Sequence, residues 1–93
     1  MPSRVWVSLV WAAGDSRLAL RMADAPVPAS EPEVVGELRA LVDAGGWGGA
    51  SRLWGVVWAR QVAQAELVAH MASGSPLLEH PAACGVFDIA VPS

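Results

Sequence analysis

The sequence predicts an α+β fold: a two-layer β-β-α-α-β domain, with an N-terminal hairpin and two helices on one face of a short sheet. Three observations predict it. Residues 4–22 alternate apolar and polar side chains at the strand period, twice over, around a Gly-Asp pair. Two central segments carry apolar residues at helical spacing behind capping signals. A last alternating run follows two prolines near the end of the chain.

The hairpin comes first. Val5, Val7, Leu9 and Trp11 alternate with Arg4, Trp6, Ser8 and Val10, and Leu18, Leu20 and Met22 alternate with Arg17, Ala19 and Arg21. Gly14–Asp15 is read as a two-residue turn, with Gly first as a type II′ turn prefers. That register sets Trp11 opposite Leu18, Leu9 opposite Leu20 and Val7 opposite Met22, so both apolar sets share one face.

Ala25-Pro26-Val27-Pro28-Ala29 reads as an extended connector. Ser30 and Glu33 form a capping-box pattern, with Pro32 tolerated in the first turn. The helix they open carries Val34, Val35, Leu38, Leu41 and Val42 on one face, and Gly45 closes it. Residues 45–49 are a glycine-rich joint around Trp47. Ser51 caps a second, longer helix running to about Ser73, ended by Gly74. The last strand is Gly85–Val91, with Phe87, Ile89 and Val91 on one side.

Composition narrows the class. Ninety-three residues suit one small domain, 1–93. A chain of this size buries roughly 60–65 % of its unfolded surface, so its stability is modest without a partner. With 54 % hydrophobic residues and a net charge of −3, the chain is too apolar for disorder. Six Arg, scattered along the chain, against nine acidic residues give no basic stripe, which argues against nucleic acid. A single Cys excludes an internal disulfide framework and suits a reducing compartment. No apolar run reaches the roughly 18–20 residues of a membrane span. Arg4, Val5–Trp11 and Gly14 share the outline of an export signal, yet the charged region is one residue long and the apolar stretch alternates like a strand. The expected localisation is cytoplasmic.

Two short motifs resemble known families. Gly14-Asp15-Ser16, with His80-Pro81-Ala82-Ala83-Cys84-Gly85 near the far end, resembles the nucleophile and base blocks of GDSL or SGNH esterases. The likeness implies Ser16 as nucleophile and His80 as base. The position three residues before His80, acidic in that family, is Leu77, and the chain has no Asn for the family's oxyanion block. Gly14-Asp15-Ser16-Arg17-Leu18 is also similar to the Gly-Asp-Ser motif of carrier domains, which implies a phosphopantetheine on Ser16. Carrier domains place that Ser at a helix start, whereas strand alternation surrounds it here.

The remaining candidates point to no cofactor. His70, Glu79, His80, Cys84 and Asp88 could ligate a metal, but their spacing is irregular and Pro81 separates His80 from Cys84. Cys84 has no sequence-neighbouring cation to activate it. The glycines at 45–49 lack the Gly-Lys-Ser/Thr ending of a phosphate loop and follow a helix, not a strand.

The expected second helix carries the functional reading. On a helical wheel Trp54, Trp58, Val62, Ala65 and Ala69 fill one arc, while Leu53, Val56, Val57, Leu67, Val68 and Met71 fill another. A helix apolar over most of its circumference is buried on more than one side. Assigning the second arc to the core leaves Trp54, Trp58, Val62, Ala65 and Ala69 as an interface, because Trp is enriched at interaction hot spots. The resulting expectation is a non-catalytic protein-interaction module: a small accessory, inhibitor or regulator with a protein partner or a homodimeric mate. The alternative is a shortened SGNH-like esterase using Ser16 and His80. A third reading is a small-ligand binder with a Trp-lined pocket between helices and sheet.

Overall fold

The computed structural model describes residues 3–13 and 17–91. The chain runs β1 (Arg4–Ala13), β2 (Arg17–Met22), β3 (Val27–Pro28), α1 (Glu31–Asp43), β4 (Ala50–Trp58), α2 (Gln64–Ala72), a 3-10 turn (Leu77–Glu79) and β5 (Ala83–Ile89). The five strands form one antiparallel sheet in the order β2-β1-β4-β5. The short β3 joins the same edge of β1 as β2, pairing Arg4 with Pro28 and Val5 with Val27. The α+β class, the N-terminal hairpin and the pair of helices are those read from the sequence. Three features differ.

The first is the hairpin register. Trp11 pairs with Ala19, Val10 with Leu20 and Ser8 with Met22, not Trp11 with Leu18. The ladder closes at Ala13 and Arg17, so three residues separate the strands rather than two. The Gly14–Asp15 turn itself, and Ser16, lie outside the described residues. A shift of one residue turns every side chain of a strand to the other face. Leu20 and Met22 therefore pack with Val10, Val56 and Trp58, away from Val7, Leu9 and Trp11. Apolar side chains lie on both faces of β1, so either register buries β2's apolar row, and alternation alone does not choose between them.

The second is the segment expected to begin the long helix. Residues 50–58 are the strand β4, and only Gln64–Ala72 is helical. Leu53-Trp54-Gly55-Val56-Val57-Trp58 is apolar on every side because β4 lies between β1 and β5 with both faces covered. Two-sided burial erases the period-2 alternation, and such a run fits a buried strand and an all-apolar helix equally well. Its β-branched and aromatic residues suit the pleat. Ser51, read as a helix cap, instead donates its Oγ–H to the Ala12 carbonyl across the ladder, 3.0 Å.

The third is layering. Val34, Leu38 and Leu41 of α1 pack on Val5, Val7, Leu9, Leu53 and Val57. Leu67 of α2 packs with Val10, Val56, Trp58, Val62 and Leu77 on the opposite face. The helices thus take opposite faces, one each, because odd-numbered and even-numbered positions of β1 and β4 are both apolar.

The termination signals act as read. Gly45 (φ 77°) follows α1 and Gly74 (φ 82°) follows α2, left-handed conformations that stop a helix at little cost for glycine. Ser30 is the N-cap of α1 with extended backbone and Pro32 lies in the first turn, although the Ser30 side chain makes no capping bond. The glycine-rich joint connects α1 to β4, and Trp47 packs back by donating its indole N–H to the Val42 carbonyl, 2.8 Å.

Candidate functional site

Helix α1 covers only part of its face. It packs on β1, β3 and β4, and an opening remains between it and the edge strand β5. Two glycines deepen that opening. Gly55 of β4 lets α1 settle close, for a Cβ there would stand 2.7 Å from both methyls of Leu38. Gly85 of β5 leaves the floor without a side chain, and the Phe87 ring lies over it. The result is an apolar groove of about 730 Å³ between α1 and β5, floored by Val57, Gly85 and Ile89. Val34, Val35 and Leu38 form its helical wall, and Cys84 and Phe87 form its lip. Glu31 and Arg39 stand along the same wall. Phe87 is 51 % exposed and Val35 44 %, so two of the most exposed large apolar residues described border one groove.

The opposite face is packed by α2 and the 3-10 turn. Trp58 is fully buried at its centre and donates its indole N–H to Ser8 Oγ, 2.6 Å. His80 stands edge-on to that indole, with ring centroids 5.2 Å apart. The Ala82 N–H donates to His80 Nδ1 at 3.1 Å, which leaves the ring proton on Nε2, 3.0 Å from Glu66 Oε2. Arg60 clamps Glu66 through both guanidinium nitrogens, 3.0 and 2.6 Å. These hydrogen bonds hold the Glu66 carboxyl below its ordinary value, aided by the Arg60 charge, while burial opposes them. His70 lies 4.9 Å from His80, ring to ring, and donates its Nε2–H to the Pro76 carbonyl, 2.7 Å. The cluster ties α2 to the end of β4 and to the turn entering β5. Both His80 nitrogens are engaged within the chain and the residue is 4 % exposed, so this imidazole faces no open cleft. Ser16, its expected esterase partner, lies outside the described residues.

The five expected interface residues fall on three different elements. Trp54 and Trp58 are on β4, Val62 is in the loop that follows, and Ala65 and Ala69 are on α2. Trp58 and Val62 are buried inside the chain. Trp54 is half-buried beneath the Arg52 guanidinium, 4.7 Å from its ring centroid, with Arg52 also 3.5 Å from Asp88. Ala65 and Ala69 are exposed. No single helical arc unites them, since the helix that would align them begins only at Gln64. Of the candidate metal ligands, His80 meets both His70 and Glu66, and no group of three or more His, Cys, Asp or Glu among the described residues could hold a metal ion.

The groove residues Val35, Cys84, Phe87 and Ile89 were not singled out by sequence reasoning as a site. A signal existed. The apolar arc of α1 is five residues wide, Val35 on it stays exposed, and Phe87 and Ile89 lie on the same side of β5. Among the described residues no helix is long and apolar enough to cross a membrane. No family model, no curated protein and no solved structure matches the chain.

Proposed function

We propose that the chain is a non-catalytic protein-interaction module that binds through the groove between α1 and β5. One observation carries the reading: an apolar groove of about 730 Å³ lies open between α1 and β5, bordered by the exposed Val35 and Phe87. The interface is thus relocated from the Trp-bearing arc to Val35, Phe87 and Ile89. Apolar surface gathered at one place, rimmed by Glu31 and Arg39, has the apolar-centre, polar-rim anatomy of a recognition patch. The edge of β5 away from β4 also leaves backbone N–H and C=O groups free beside the groove, a further means of holding a polypeptide.

The test is mass-resolved purification of the chain at native concentration, with Phe87→Asp alongside. The wild type is expected to travel as an assembly and the variant alone, with the same circular dichroism spectrum. A wild type that travels with neither a second copy nor another protein, or a variant that retains the assembly, overturns the reading. The esterase alternative is tested separately. Saturable hydrolysis of short p-nitrophenyl esters, abolished equally by Ser16→Ala and His80→Ala, would replace the interaction module with an enzyme.

A further inference from the structure

Resting on the interaction-module reading, we propose that the occupant of the groove is a second copy of this chain, which presents its own α1 antiparallel to the first. Charge complementarity about a centre favours this occupant. Glu31, Val35 and Arg39 occupy successive i, i+4 positions on one ridge of α1, and all three line the groove. Val35 is the exposed apolar midpoint, with Glu31 and Arg39 each about 6 Å along the axis from it, in opposite directions. A two-fold axis through Val35 brings Glu31 of each copy to Arg39 of the other, so the ridge complements itself twice. Among the described residues neither Glu31 nor Arg39 has an ion-pair partner within its own chain.

The shape agrees with the charge. The groove opens beside α1, and the mate's α1 brings its exposed Val35 to that opening while Val34, Leu38 and Leu41 stay on its own sheet. The symmetry closes, because each copy donates the element that the other lacks. Two-fold closed pairs are the commonest protein assemblies. A parallel mate would set Glu31 against Glu31 and Arg39 against Arg39, so the same charges select the antiparallel arrangement.

Light scattering and sedimentation velocity over a concentration series test this directly, on wild type, Glu31→Arg, Arg39→Glu and the double variant. Each single reversal turns both unlike pairs into like pairs and is expected to weaken the dimer by roughly tenfold or more. The double variant exchanges the two charges, restores both unlike pairs and is expected to dimerise like the wild type. Mixing the two single variants is expected to give a heterodimer, since one then carries two positive groups on its ridge and the other two negative. Circular dichroism checks that each variant remains folded. A wild type that stays monomeric, or a dimer indifferent to the single reversals, overturns the proposal. If a monomeric wild type is nonetheless recovered with a different protein in a Phe87-dependent manner, the second copy is excluded while the interaction-module reading stands.

Discussion

The two faces of the central strand β4 received opposite treatments. On the α2 side β4 presents Trp54, Val56 and Trp58, large residues met by α2, the 3-10 turn and β5. On the α1 side it presents Leu53, Gly55 and Val57, and the neighbouring strand adds Gly85. Volume on one face produces closure, with an indole hydrogen-bonded to Ser8 and no buried side-chain polar atom left without a partner among the described residues. Missing volume on the other lets α1 approach closely at Gly55 and leaves a groove at Gly85. Within a single strand, both faces carry buried core, and only the α1 side also borders a groove, the surface proposed above to bind.

Substitutions on the closed face should therefore act on folding. Trp58→Ala removes the largest fully buried side chain and leaves Ser8 without its donor. It is expected to cost about 3–5 kcal/mol, measured by chemical denaturation. An effect under about 1 kcal/mol, the level of a surface change, would show that Trp58 does not anchor the α2 face.

Gly55→Ala probes the point where α1 meets the sheet. The new methyl would sit 2.7 Å from the Leu38 methyls, so overpacking is expected to cost about 1–3 kcal/mol. The double variant Gly55→Ala with Leu38→Val should recover part of that loss. If it recovers none, the close approach is not what Gly55 serves.

Gly85→Val separates folding from binding. Its Cβ would meet only the Phe87 ring, at 3.7 Å, an ordinary contact. A β-branched residue in a strand should leave stability level or raise it by up to about 1 kcal/mol. The same side chain fills the groove floor and should abolish association. Loss of stability, or retained association, would contradict the division between faces.

The smallest effect is electrostatic and belongs to the closed face. Glu66 is held below the ordinary carboxyl value by its hydrogen bonds from Arg60. A depressed folded-state value contributes stability that is fully present above the unfolded carboxyl value, about 4.3, and is lost as pH falls through the lower folded value. Arg60→Gln is expected to move the Glu66 carboxyl titration upward in carbon-detected NMR, without touching association. An unmoved midpoint would remove Arg60 as the cause.

The sequence made some of this legible and hid the rest for identifiable reasons. Helix α1 could be placed because Ser30, Pro32 and Gly45 mark its ends and its apolar residues keep a clean period. Gly74 likewise marked the end of α2. Residues 51–58 could not be placed by period, since a strand buried on both faces has no polar side to count from. The β2 register was hidden by the same cause, for Leu20 and Met22 find apolar neighbours on either side of the sheet. The groove was half legible: Val35 completes an over-wide apolar arc and Phe87 aligns with Ile89. Their juxtaposition depends on where α1 settles across β1, β3 and β4 relative to the edge strand β5, which no local pattern states.

Cys84 offers the most direct test, because it is the only cysteine in the chain, is exposed, and lines the groove. Its rate of modification by a neutral thiol reagent reports groove occupancy without a label. The rate is expected to fall several-fold as wild-type protein is concentrated into its assembled form. Phe87→Asp protein, under the same conditions, should react at one constant rate. A Cys84 rate that stays the same in dilute protein and in the assembled form would show that association, if it occurs, leaves the groove empty and that the open face is not the binding face.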